Sequence, residues 1–208
     1  MKTVLWDFDG VIVDSNKVRD LGFKEIFKNF DKDLVDDLIA FHRKNGGLSR
    51  YVKIRYFFEE LLEREVTEEG VLEYAQKFSV LMRRELTNSK YLILDSVDFI
   101  KCNHHLYNFH IVSGSDQEEL RYLVKELGID KYFISINGSP IAKTDLVIKV
   151  LKENNYDKKH VCLIGDSFND YEAAQSVKIK FFGYNNDNLR FLDGYLNSLV
   201  ELKEFRTL

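Results

Sequence analysis

Five short apolar runs constrain this 208-residue chain more than any other feature. TVLW, FHIVSG, YFISI, HVCLIG and IKFFG are apolar on both faces, which reads as strands of a buried parallel sheet. Helix-like stretches separate the last four. Asp116–Leu127 follows Ser115, with Glu118 three residues later in a capping-box pattern. Lys143–Lys152 and Phe168–Ser176 are the others. Parallel strands need such crossovers, so the alternation predicts an α/β fold with a doubly wound, mostly parallel, Rossmann-like sheet.

Residues 16–88 follow a different rule. They hold no strand-like run, only helical periodicity. Ile54, Phe57, Phe58, Leu61 and Leu62 recur at helical spacing, and so do Val71, Tyr74, Ala75, Phe78, Leu81 and Met82. The expected organisation is therefore a core of residues 1–15 and 89–208 carrying an all-helical cap at 16–88. Asp14–Lys17 and Asn88–Leu94 are the expected hinges.

With 45% hydrophobic residues the chain can bury a sizeable core. A net charge of -4 gives no sign of a basic nucleic-acid surface, and no apolar run approaches the ~20 residues that span a bilayer. Asp7 interrupts the N-terminal apolar stretch too early for a secretion signal. Cys102 and Cys162 lack metal or redox spacing, and Cys162 lies in an apolar run. A cytoplasmic protein without membrane or nucleic-acid partners is expected. The residues leave the oligomeric state open.

Open parallel sheets bind ligands beyond the carboxyl ends of their strands. Here the first run ends in Asp7-Phe8-Asp9-Gly10 and the second in Ser113-Gly114. Lys143 opens the helix after the third, while Asp166 ends the fourth with Asp170 one turn further. Two aspartates two apart on a strand would repel unless a cation or a phosphate needs them. These groups suit phosphoryl transfer through a covalent intermediate. Asp7 would attack phosphorus, and Asp166 with Asp7 would hold Mg²⁺, a hard cation that takes oxygen ligands. Lys143, Ser113 and Gly114 would bind the phosphoryl oxygens, and Asp9 would serve as acid and base.

DFDGV, IVSGS, Lys143 and GDSFND together resemble the four motifs of the haloacid dehalogenase-like phosphohydrolases. Among these the chain is most similar to the phosphoglycolate-phosphatase-like group, which carries a helical cap after the first motif. The resemblance covers the whole chain in order. It implies Asp7 as nucleophile and Asp9 as acid/base. It also implies Asp7, the Asp9 backbone carbonyl and Asp166 around Mg²⁺, with Asp170 orienting a water on the metal. Ser113 and Lys143 would bind phosphate. One departure is visible, because many relatives have proline after the motif lysine. Thr144 stands there and is expected to cap the following helix.

The residues at the hinge and in loops read differently. Asp14 and Ser15 are expected to cap a helix, and His104 and His105 to be solvated. In the cap, His42, Arg43, Gly46, Gly47, Arg50 and Lys53 form a basic cluster beside a flexible turn. Arg50 and Lys53, three apart, would share a helical face that meets the leaving group of a small phosphate ester. The overall expectation is a Mg²⁺-dependent phosphatase acting on a sugar phosphate or phosphorylated hydroxy acid. A sugar-phosphate mutase similar to β-phosphoglucomutase is the alternative, and a phospho-accepting signalling domain a remote one. Asp9 argues against dehalogenation and phosphonate hydrolysis, whose branches lack that aspartate.

Overall fold

Residues 2–206 are described by a computed structural model, with side chains described within 2–202. Met1, Thr207 and Leu208, which the expected core segments include, lie outside the described residues. Strands β1 (Lys2–Trp6), β2 (Tyr107–Asp116), β3 (Ser135–Ser139), β4 (Val161–Gly165) and β5 (Lys180–Gly183) form one parallel sheet in the order β3-β2-β1-β4-β5. β1 is central. Trp6 stands level with Ile111 of β2 and Ile164 of β4, so the residues after all three emerge at one edge. The order reverses between β1 and β4, which places Asp7 and Asp166 on either side of the switch point.

Between β1 and β2 the chain is helical: α1 (Asn16–Ile26), α2 (Lys32–Lys44), α3 (Arg50–Tyr56), α4 (Glu68–Glu85) and α5 (Leu94–Asn103). α3 runs into a π-helical turn at Phe57–Leu61. The apolar stripes read from the sequence face inward, with Ile54, Phe57, Val71, Ala75, Phe78 and Met82 all buried. Phe27 packs on Phe57 at 4.1 Å and stacks on Tyr74 at 5.0 Å, so aromatic rings fill the space between these helices. The two chain segments joining the helices to the sheet run side by side. Asp14 N–H donates to the Tyr91 carbonyl at 2.8 Å and Ile93 N–H to the Ile12 carbonyl at 2.9 Å.

The remaining helices, α6 (Gln117–Glu126), α7 (Lys143–Glu153) and α8 (Phe168–Val177), follow β2, β3 and β4. α5 and α6 share one apolar cluster with the inserted helices. α7 and α8 share another, against Leu5, Val112, Leu163 and Phe181.

Three local expectations are corrected. The third strand lies at Ser135–Ser139 rather than over YFISI, because Asp130–Tyr132 forms a 3₁₀ turn that delays it. Its polar, buried end, Asn137–Ser139, replaces the apolar run that drew the reading. The cap of α6 is Asp116, whose carboxylate accepts from Glu119 N–H at 2.9 Å. Ser115 cannot cap because its hydroxyl is bound to Asp9, and Glu118 is exposed. α7 begins at Lys143 behind Ala142, which has no hydroxyl. Thr144 therefore lies inside the helix and does not cap it.

Candidate active site

The first strand ends where its ladder does. Asp7 N–H still donates to the Ile164 carbonyl at 2.9 Å, and the chain then folds into a turn with Gly10 at φ +73°. A Cβ at Gly10 would fall 1.9 Å from an Asp166 carboxylate oxygen, so only glycine permits this approach. The turn also parts the two aspartates. Asp7 faces Lys143 of α7 and the carboxylates of Asp166 and Asp170, and Asp9 faces Arg19 of α1 and Ser115 of β2.

Asp7 Oδ1 accepts from Phe8 N–H at 2.8 Å and pairs with Lys143 Nζ at 2.9 Å. Its Oδ2 has no hydrogen-bond partner among the described residues. Lys143 also binds Asp170, so one buried ammonium serves two carboxylates. Asp170 is further held in a capping box with Ser167 at the start of α8. Asp7, Asp166 and Asp170 bring one oxygen each within 4.8 Å of one another. That donor set is all oxygen and predominantly anionic, which fits a hard divalent cation. Burial and the Asp170 carboxylate push Asp7 up to about 7 despite Lys143. Burial, Asp7 and Asp170 push Asp166 up as well. Three carboxylates facing one lysine leave negative charge that a cation would compensate.

Asp9 occupies the opposite environment. Its Oδ1 accepts from Ser15 Oγ and Arg19 Nε, both at 2.5 Å, and its Oδ2 from Ser115 Oγ at 2.5 Å. Burial alone would raise its pKa. Arg19 and the Ser115 and Ser15 hydroxyls outweigh that, so Asp9 is held below the usual carboxylate range. Ser15 stands at the start of α1 as expected, but its hydroxyl binds Asp9 and leaves the helix uncapped.

The inserted helices close over this edge of the sheet. A Cβ on Gly114 would lie 2.4 Å from the Gly47 carbonyl oxygen, and one on Gly47 would lie 2.8 Å from Asn169 Cβ. Gly47 thus touches both the β2 and the β4 loops. Beneath it is a chamber lined by Asp7, Asp9, Arg19, Lys53, Ser113 and Asp166, with Gly46, Gly47, Gly114, Arg50 and His42 at its walls. Only about 30 Å³ of it admits the centre of a water molecule. A wider cleft of about 600 Å³ adjoins it past Asn16 and Asp166.

The basic cluster divides. Lys53 is buried in the chamber wall, with Nζ donating to the Gly46 carbonyl at 3.2 Å, and burial followed by Arg19 lowers its pKa to about 7. His42 is buried against Phe23 and held neutral, pushed down to about 2 by burial and by Lys53 and Arg19. Arg43 is exposed, lines the outer cleft and pairs with Asp20 at 2.7 Å. Arg50 lines the chamber, but its guanidinium is engaged. It binds both Glu119 oxygens at 2.6 Å and Ser79 Oγ at 2.6 Å.

Arg19 and Glu119 have no part in the sequence reading, and Ser115 enters it only as a helix cap. Arg19 bridges Asp9, Ser115 and Glu119, linking α1 to β1, β2 and α6. A faint signal existed, since Glu119 shares a helical face with Leu123 and so sits where an apolar residue is expected.

A family model described as haloacid dehalogenase-like hydrolase matches residues 4–184. The chain belongs to that family. This hydrolase is 22% identical to a phosphorylated carbohydrates phosphatase of Thermotoga maritima, over 98% of its own length and 96% of the relative's. Its fold is similar to β-phosphoglucomutase from Clostridium difficile, with a TM-score of 0.79 at 15% identity, covering 100% of this chain and 97% of the other. It is also similar to a predicted phosphoglycolate phosphatase from Haemophilus somnus, with a TM-score of 0.74 at 16% identity over 99% and 98% of the chains. No helix among the described residues of the hydrolase is long and apolar enough to cross a membrane.

Proposed function

We propose that the hydrolase is a Mg²⁺-dependent phosphatase that cleaves a small phosphate monoester, a sugar phosphate or phosphorylated hydroxy acid, through a phosphoryl group carried on Asp7. The observation that carries this reading is the asymmetry of the Asp7 carboxylate. Oδ1 is fixed by Phe8 N–H and Lys143, so Oδ2 is the oxygen left to attack phosphorus. Asp7, Asp166 and the Asp9 carbonyl would hold the ion, with Asp170 beside them. When bound, it neutralises phosphoryl charge so that an anionic nucleophile can approach.

Ser113 and the Gly114 N–H line the facing wall and would hold the oxygens on which charge develops. Lys143 balances charge on Asp7 as the P–O bond to the leaving group breaks. Asp9 would give its proton to the departing oxygen and later take one from water. Both its oxygens are occupied and it is held ionised in this arrangement, so it would have to leave Arg19 and take up a proton before it could give one to the departing oxygen.

The helices of 16–88 would act as a cap on the core of 1–15 and 89–208. A chamber with room for roughly two waters is too small for a sugar phosphate. The cap would therefore open about the paired linkers near Val13 and Leu92 to admit substrate. Lys53, not Arg50, would then meet the leaving group. The Thermotoga relative's name supports a carbohydrate as that group.

The test is a panel of small phosphate esters with purified protein, reading released phosphate with Mg²⁺ and with EDTA. Release that needs Mg²⁺, and no added bisphosphate, supports the phosphatase. Release only with a sugar bisphosphate present would favour the mutase instead.

A further inference from the structure

The chamber wall opposite Asp7 holds three cations, and two of them are already paired. Glu119 stands behind that wall with its side chain fully buried. It grips Arg50 through both oxygens and reaches Arg19 at 3.2 Å, while Arg19 also holds Asp9. Lys53 is left as the one ammonium on this wall without a carboxylate partner among the described residues. Its Nζ donates to the Gly46 carbonyl. His42 beside it is neutral.

The two guanidinium groups look available by position, but all three Arg19 nitrogens and both terminal nitrogens of Arg50 are already bonded, which leaves only the buried Arg50 Nε without a partner. Both stack near the Phe78 ring, Arg50 at 4.7 Å and Arg19 at 5.9 Å, which fixes them from the other side. A second phosphoryl group on a substrate's leaving group would bring about two negative charges to this wall. It would have to compete with Glu119 for each arginine, and displacing a buried carboxylate from its partner is costly. A neutral polyol or a single carboxylate needs only Lys53.

We propose that Glu119 is a positioning residue that sets specificity. By occupying Arg50 and Arg19 it makes the chamber select esters whose leaving group carries no second phosphoryl group. This rests on the phosphatase reading for the site, and it narrows the substrate class to monophosphates. It also sets the chamber against a mutase cycle, which must bind a bisphosphate in both orientations.

The experiment compares three pairs: glucose 6-phosphate with glucose 1,6-bisphosphate, fructose 6-phosphate with fructose 1,6-bisphosphate, and ribose 5-phosphate with ribose 1,5-bisphosphate. In the wild type, kcat/KM for the monophosphate should exceed that for its bisphosphate at least tenfold. In Glu119→Gln the ratio should move toward the bisphosphate by about ten- to a hundredfold, as one or two charge-assisted contacts become available. Glu119→Asp should keep the wild-type ordering. A wild-type preference for any bisphosphate overturns the proposal, and so does an unchanged ratio in folded Glu119→Gln. Should that variant not fold, the wild-type ordering decides. If no ester turns over, the phosphatase reading has failed. Calorimetric titration of Asp7→Asn with Mg²⁺ then reads the same pairs as binding. Tighter binding of the monophosphate supports the proposal. Equal or tighter binding of the bisphosphate, or no binding of either, overturns it.

Discussion

Asp7 and Asp9 are two residues apart, yet their surroundings drive them in opposite directions. Asp7 faces Asp166 and Asp170 across a single lysine and is pushed up to about 7, while Asp9 is held ionised by Arg19. Asp7→Asn therefore removes an attacking oxygen together with a source of repulsion. Turnover should fall by several orders of magnitude while the melting temperature holds or rises. A second residue-scale prediction concerns His42. Its folded pKa of about 2 lies below its unfolded 6.5, so between those values the unfolded chain binds the extra proton. Stability from this group is complete above pH 6.5 and is lost as pH falls, by up to about 1.4 kcal/mol per unit. Urea unfolding from pH 7 to pH 4.5 should show a steeper loss for the wild type than for His42→Phe. Parallel curves would mean that His42 is charged in the fold. At this scale the acidic motifs were legible because each sits where an apolar run stops. The arginines were not. Arg19 meets Asp9 and Glu119 through partners 10 and 100 positions away, and nothing local to α1 announces it.

At the scale of elements, strand ends deliver the chemistry and glycines let the layers meet. Gly114, near the end of β2, meets the Gly47 carbonyl, backbone on backbone. Gly114→Ala places a methyl group where the inserted loop must lie, so the loop has to lift. The sheet and helices need not change. kcat/KM should fall at least about tenfold while the melting temperature moves by less than about 4 °C. A large drop in melting temperature with unaltered kinetics would show that this contact serves folding alone. Strands β1, β4 and β5 were legible because both faces are apolar. β3 was misplaced because its last residues, Asn137 to Ser139, are polar yet buried. Their backbone pairing with β2 outweighs their poor strand preference, which composition does not reveal. The cap of α6 shifted by one residue because Ser115 serves Asp9, a contact made across the sheet edge.

For the molecule as a whole, the parallel sheet places four motifs at one edge and the inserted helices form a roof over it. That much followed from the change of periodicity at residue 16 and its return near residue 90. The pairing of the roof to the floor did not, since it is made by Arg19 and Arg50 on Glu119 and by glycine against glycine. The account stands on a phosphoryl group passing through Asp7. The most direct measurement is rapid mixing of Asp9→Asn with p-nitrophenyl phosphate and Mg²⁺, followed by acid quench and mass spectrometry of the peptides. A p-nitrophenolate leaving group needs little protonation, so this variant should complete the first step and stall at the second. The account predicts a burst of one p-nitrophenolate per enzyme and the added mass of one phosphoryl group on the peptide bearing Asp7. Steady release of p-nitrophenolate with no burst, and an Asp7 peptide of unaltered mass throughout, would contradict it.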